Sequence, residues 1–306
     1  MRVLVVVNPR ATANDPRVRD VLVRAMSVEH DVDVVETGER GHGIELARQA
    51  VVDGVDAVIG YGGDGTANEL INGLLTNGPG PNVPALAVVP AGSTNVFVRA
   101  LGLPNDAQQA TEIFINALRQ GKRRKIGLGV ADDRWFCFAA GLGFDAAIVH
   151  GVERQRELGK KSTHVLYTRV GVREFFTSDR RTPRARVELP DGSVLSDIHF
   201  TIIANADPWT FVGPIPLRPT PNTTFDTGLG LYARKRMGTP GMLYSMGRMM
   251  GPTSHVGGRG AFLAEDLDQV TVIADEPLPF QVDGDAEDTR SKVTFRSVRE
   301  ALSVLM

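Results

Sequence analysis

The segment Gly62-Gly63-Asp64-Gly65-Thr66 puts three residues without a side chain beside one carboxylate and one hydroxyl. Such a backbone can take positive φ and lie close against a ligand. The preceding Ala57-Val58-Ile59-Gly60 reads as a buried strand, and Leu70, Ile71, Leu74 and Leu75 follow at helical spacing. A glycine-rich turn between a strand and a helix start favours phosphate, because backbone N–H groups and the helix dipole point at it. Asp64 would repel that phosphate unless a cation lies between them. The pattern therefore points to a Mg²⁺-nucleotide site, although the five residues alone are equally compatible with an ordinary turn.

The elements around this turn alternate. Strands are predicted at Val3–Val7, Val32–Glu36, Ala57–Gly60 and Ala85–Val89, and helices at Pro16–Val28, Ile44–Asp53, Asn68–Leu75 and Ala107–Gln120. That order predicts βαβ units and a parallel sheet. Asn8, Thr37, the Gly62–Thr66 turn and Gly92-Ser93 each follow a strand. They would gather at the carboxyl edge of the sheet, where open α/β folds bind ligands.

After the basic run Gly121-Lys122-Arg123-Arg124-Lys125 the texture becomes β-rich. Short strands are predicted at Trp135–Ala140, Ala185–Leu189, Phe200–Ala204, Gly230–Ala233, Val270–Ala274 and Val293–Phe295. The expected plan is an α/β domain over 1–125 and a mainly antiparallel β-sandwich domain over 126–290. Residues 291–306 form a last segment that could return to the first domain.

Composition bounds the function without naming it. The 306 residues are 42% apolar and 23% charged, ordinary for a globular protein. A net charge of −2 predicts no general attraction to nucleic acid. Cys137 is the single cysteine, which rules out an intrachain disulfide and suggests a reducing, cytoplasmic setting. No run approaches the roughly 18 apolar residues of a spanning helix, and Val3–Val7 is too short for a signal-peptide core. The six histidines show no metal-ligand spacing.

Further motifs follow in order: Asn8-Pro9 after the first strand, Thr37 with Gly41-His42 after the second, and Asn68-Glu69 with Asn72-Gly73 just past the glycine turn. Then come Gly92-Ser93-Thr94-Asn95, Leu101-Gly102-Leu103-Pro104, Ala140-Gly141-Leu142-Gly143-Phe144-Asp145-Ala146 and Val282-Asp283-Gly284-Asp285. Together they resemble the diacylglycerol kinase catalytic family, which includes bacterial lipid kinases and sphingosine kinases. The resemblance implies an NAD kinase/diacylglycerol kinase-like fold. It also implies an ATP- and Mg²⁺-dependent lipid kinase that moves the γ-phosphoryl to a lipid hydroxyl, with diacylglycerol the expected acceptor and phosphatidic acid the product. ATP would be held by Asn8, Arg10, Thr37, Gly62, Gly63, Asp64, Gly65, Thr66, Asn68, Gly92, Ser93 and Thr94, with Asp64 near the metal. Asp283 would serve as the base with Asp285 beside it, and Asp145 would face the acceptor lipid. An acceptor that lives in a bilayer implies peripheral membrane association, and a homodimer is carried over from related enzymes.

The sequence departs from that family at several points. Arg10-Ala11-Thr12-Ala13 lacks the glycine usual after Asn-Pro, Asn95-Val96 replaces an Asn-Asp pair, and Asp285 stands where glutamate is usual. The Asp-Gly-Leu turn that binds a structural Mg²⁺ in related enzymes is matched only by Asp226-Thr227-Gly228-Leu229, so Asp226 is a second candidate ligand. Five of the eight methionines lie in 237–250, and Met242, Leu243, Met246, Met249 and Met250 follow helical spacing. That stripe suits helix packing better than lipid contact, while Arg234-Lys235-Arg236 could meet anionic headgroups. Two other readings stay open. An NAD kinase shares the glycine turn but has its Asn-Glu pair well downstream; a catalytically weak lipid- or nucleotide-binding regulator would account for Val96 and Asp285.

Overall fold

The computed structural model describes residues 1–13, 15–159, 164–251, 257–258 and 260–306. Two units emerge, one of residues 1–128 with 299–306 and the other of residues 129–298. The first carries β1 (Arg2–Val7), α1 (Pro16–Ser27), β2 (Asp31–Glu36), α2 (His42–Val52), β3 (Ala57–Gly62), α3 (Asp64–Leu74), β4 (Ala85–Pro90), α4 (Val96–Ala100), α5 (Ala107–Gln120) and most of β5 (Arg123–Ala131). The second begins with β6 (Arg134–Phe136), β7 (Ala139–Gly143), α6 (Phe144–Glu157), α7 (His164–Thr177), β8 (Ala185–Glu188), β9 (Val194–Ile198) and β10 (Phe200–Ala204). It continues with β11 (Thr210–Val212), β12 (Ile215–Leu217), β13 (Leu229–Arg234), α8 (Thr239–Met249), β14 (Ala261–Leu267), β15 (Gln269–Val282) and β16 (Asp285–Leu305).

In the first unit β2, β1, β3 and β4 lie side by side and all run parallel. The end of β16 continues that order, with Val304 paired in parallel to Leu86. Val5, Ile59 and Val89 from the strands pack with Leu22 and Met26 of α1 and Phe114 of α5. Local chemistry sets the helix starts. Asp15 accepts the Arg17 N–H ahead of Pro16, and Asp106 accepts that of Gln109 to open α5. Gly121 ends α5 at φ 65°, a left-handed cap that glycine takes readily.

The second unit is mainly antiparallel. Strands β14, β13, β10 and β7 lead to the end of β15, whose first half pairs instead with β8, and β8 with β9. Both groups of strands close over one core, in which Leu142, Ile203 and Leu231 meet Val187, Val272 and Val293. The expected parallel and antiparallel halves are thus both present.

Several expectations need correction. The predicted strand over Trp135–Ala140 is two strands, broken at Cys137-Phe138 because those amides turn to Asp283 instead of a neighbouring strand. The helix expected from Asn68 begins at Asp64, so Gly65 and Thr66 are helical and the turn itself is Gly62-Gly63. Arg234 is not available to headgroups: it is fully buried, donating to Ser245 Oγ at 2.8 Å and to the Arg236 carbonyl at 2.7 Å. Only Lys235 and Arg236 of that run are exposed. The methionine stripe divides. Met249 is buried with Met237, Phe200 and Tyr232, and Met242 packs partly against them, whereas Leu243, Met246 and Met250 face solvent.

Candidate functional site

Because β1 to β4 run parallel, their ends meet at one edge. The Asn8 N–H donates to the Tyr61 carbonyl at 2.9 Å, that of Thr37 to Val7 at 2.8 Å, and that of Ala91 to Gly62 at 2.9 Å. The Asn8 side chain then joins two loops. Its Nδ2 donates to Thr66 Oγ1 at 3.2 Å, and its Oδ1 accepts the Arg10 N–H at 2.9 Å. Thr37 Oγ1 lies 3.4 Å from the Val7 carbonyl. Ser93 is exposed, and Thr94 is partly so.

The loops after β3 and β4 touch backbone to backbone. A Cβ on Gly63 would fall 3.0 Å from Gly92 Cα, and one on Gly92 would fall 2.7 Å from Gly63 Cα. At Gly62 a Cβ would meet Thr66 Oγ1 at 2.3 Å. These glycines are needed for close approach, which a larger residue would prevent. Gly92→Ala should destabilise the protein by about 1–3 kcal/mol, the range for overpacking. Gly80→Ala, with open space around its position, should leave the thermal midpoint nearly unchanged. Equal midpoints for the two variants would remove this account of Gly92.

Both acids of α3 cap neighbouring helices. Asp64 Oδ2 accepts the Val96 N–H and its Oδ1 that of Phe97, each at 3.0 Å, which satisfies the start of α4. Asn95 sits just ahead at φ 52°, buried, with its side chain clasping Gly92 and Asn105. Glu69 accepts the Gly41 N–H at 2.8 Å and that of Gly43 at 3.0 Å, at the start of α2. Arg99 feels the same centre: burial lowers its pKa, while the Asp64 charge raises it. Asn68, buried within α3, accepts from Asn72 Nδ2 at 3.2 Å.

The site residues of the second unit gather around the β15–β16 turn. Asp283 at φ 49° and Gly284 at φ 81° form a two-residue hairpin loop, closed by Val282 opposite Asp285. Two positive φ values mark a type I′ turn, for which Asp-Gly is a favoured pair. Asp283 is buried, and its carboxylate accepts three backbone N–H groups, from Cys137 at 2.7 Å, Phe138 at 3.0 Å and Ala139 at 3.2 Å. Asp285, the first residue of β16, is partly exposed. Asp145 lies in the first turn of α6, 5% exposed, and accepts from Gln281 Nε2 at 2.8 Å. Asp226 occupies an exposed turn ahead of β13.

Burial pushes the Asp145 carboxyl up to about 7, only partly opposed by the Gln281 hydrogen bond. Between the ordinary carboxyl value and about 7 the folded chain keeps a proton that the unfolded chain has lost. Stability is therefore greatest at low pH on this account and declines as pH rises through that window. The slope is at most about 1.4 kcal/mol per pH unit. Asp145→Asn should abolish that contribution, so the difference in unfolding free energy between variant and parent should grow from pH 5 to pH 7. A constant difference would show that Asp145 does not titrate as its burial requires.

Among the described residues no group of three or more His, Cys, Asp and Glu side chains converges to hold a metal. A nucleotide-bound Mg²⁺ would need no such group, since one or two carboxylates would share the ion with phosphate oxygens. Asp64, at the helix start beside the Gly62-Gly63 backbone, suits that role. Reasoning from sequence missed Gln281, Asn95 and Asn105 as site residues. The available signal for Gln281 was an amide within the apolar run Phe280-Gln281-Val282, two residues ahead of Asp283.

Comparison with known proteins finds sequence similarity over part of the chain and a shared fold over nearly all of it. A protein from Chromohalobacter salexigens described as a probable lipid kinase YegS-like is 35% identical over 139 residues, 45% of this chain and 43% of that one. A diacylglycerol kinase of Staphylococcus aureus is 33% identical over 124 residues, 40% of this chain and 37% of that one. The matched stretch thus spans less than half the length of these curated relatives. A crystal structure of a putative diacylglycerol kinase from Bacillus anthracis superposes with a TM-score of 0.78 at 20% identity, covering 99% of this chain and 96% of that one. A second structure from the same organism gives 0.73 at 19% identity over the same shares, so the fold is common to all three chains. Residues 2–131, less than half of this chain, match the family model of the diacylglycerol kinase catalytic domain.

Proposed function

We propose that the protein is an ATP- and Mg²⁺-dependent lipid kinase that phosphorylates a lipid hydroxyl, with diacylglycerol as acceptor and phosphatidic acid as product. The observation that carries this reading is the match of residues 2–131 to the catalytic domain, with its glycine motif at the carboxyl edge of a parallel sheet. The nucleotide would be held by the first turn of α3 with Asn8, Arg10, Thr37, Gly62, Gly63, Asn68, Gly92, Ser93 and Thr94. When bound, ATP with Mg²⁺ supplies the phosphoryl group and the charge that neutralises it in transfer. Asp64 would place its carboxylate at the metal while holding α4 in position.

Residues of the second unit would serve the lipid. Asp283 is the proposed base, receiving the hydroxyl proton at a carboxylate oxygen that the Cys137, Phe138 and Ala139 amides keep oriented. Asp285 would assist from the adjacent strand position, and Asp145 would face the acceptor. Such a protein would work in the cytoplasm and meet its substrate at the membrane surface. No helix among the described residues is long and apolar enough to cross a membrane.

The test is incubation of the purified protein with γ-labelled ATP, Mg²⁺ and a mixed lipid extract in detergent micelles, with NAD in a parallel tube. Label in an organic-soluble product, identified by mass as phosphatidic acid, is the expected result. Label confined to NAD would replace this reading with an NAD kinase. Label in neither tube, with nucleotide binding retained, would favour a regulator.

A further inference from the structure

One buried side chain links Asp145 to the turn that carries Asp283. Gln281 is 2% exposed and pairs with Gly141 across β15 and β7. Its Nε2 donates to Asp145 Oδ2 at 2.8 Å, and its Oε1 accepts the Gly284 N–H at 2.9 Å. Gly284 adjoins Asp283, so the amide spans from the first turn of α6 to the backbone beside that carboxylate. The absence of a side chain at Gly141 makes room, since a Cβ there would lie 2.7 Å from Asp145 Oδ2. The orientation of the amide is determined at both ends. Rotating it by half a turn would set its NH₂ against the Gly284 N–H, two donors face to face.

We propose that Gln281 is a positioning residue, transmitting the placement of the Asp145 carboxyl to the Asp283-Gly284 turn and so aiming the Asp283 carboxylate. This rests on the lipid kinase reading in which Asp283 is the base. The Asp283 carboxylate keeps its own anchors, the amides of residues 137–139, and the Asp283 N–H donates to the Ala139 carbonyl at 2.8 Å. Removing Gln281 would therefore leave the turn formed and free its far side to shift. Proton transfer depends on heavy-atom reach within a few tenths of an ångström, so a small shift matters for catalysis.

Three variants of the full chain test the bridge: Gln281→Leu, Gln281→Glu, and Gln281→Glu combined with Asp145→Asn. The last exchanges acid and amide. The introduced asparagine can donate to the introduced glutamate, whose other oxygen still accepts from Gly284. Gln281→Leu should lower kcat about 10- to 100-fold, with KM for ATP within about twofold of the parent. The paired exchange should restore the Gly284 N–H protection that Gln281→Glu alone loses, because the acid and amide are only exchanged. Amide hydrogen exchange at Gly284 should speed up in Gln281→Leu and slow again in the pair.

Parental kcat in Gln281→Leu, or no recovery of Gly284 protection in the pair, would overturn the proposal. The exchange measurement needs no turnover. If the parent protein phosphorylates no lipid, the kinase reading fails on its own, and unchanged Gly284 protection in Gln281→Leu would separately refute the bridge.

Discussion

Asp64→Asn is expected to lower both activity and stability, and the two losses have separable origins. The carboxylate meets two donors, the Val96 and Phe97 amides, with one oxygen each. Asparagine offers one acceptor oxygen and turns an NH₂ group on the second amide, leaving a partly buried donor unsatisfied. Such a loss costs about 1–3 kcal/mol, which in a chain of this size lowers the melting midpoint by roughly 2–10 °C. Removing the negative charge also deprives Mg²⁺ of its proposed protein ligand. At temperatures where the variant is folded, kcat/KM should fall by about two to three orders of magnitude, as when one electrostatic group is lost from a transfer site. Raising Mg²⁺ should recover part of that fall without moving the midpoint. If activity falls only in step with the folded fraction, Asp64 is a helix cap alone.

The same residue shows what the sequence could disclose. Its glycine-rich setting marked Asp64 as chemical, and the strand and helix around it were legible from a buried run followed by helical spacing. The amides it caps lie 32 and 33 positions further on, and no local pattern announces them. The alternating elements of the first unit were readable because each carries its own punctuation. Asp106 and Gly121 bracket α5, which spans the expected Ala107–Gln120. In the second unit that punctuation misleads. Asp275, Glu276, Pro277 and Pro279 interrupt the apolar pattern of β15, yet the strand continues through a shift of register between Ile273 and Leu278. The expected Val270–Ala274 is thus only the first part of a strand of 14 residues. The helices α6 and α7 went unread, since Gly151 in one and Gly171 with β-branched Val165, Val170 and Val172 in the other are weak helix formers. Their helical state is set by packing of Phe144 on Phe175 and Phe200, which only the tertiary fold supplies.

Asp283 poses the same problem more sharply, because its partners lie 144 to 146 positions earlier. From sequence it was one acid of four between 283 and 288, in a stretch that would ordinarily be a solvated loop. The structure buries it and closes it over three amides, so a carboxylate is demanded for structural reasons before any chemistry is considered. Asp283→Asn should therefore destabilise the protein by about 1–3 kcal/mol, through an amide group forced against a backbone N–H. Lipid phosphorylation should fall by about 10²- to 10⁴-fold, the usual contribution of a positioned base. The two effects part under one condition. Measured well below the melting midpoint, nucleotide affinity should match the parent, because ATP is assigned to residues of the first unit. A loss of kcat at parental ATP affinity and full folding identifies the base. Should kcat recover to within about threefold of the parent once folding is complete, the three amides alone explain why aspartate stands at this position, and the proton acceptor must be sought elsewhere.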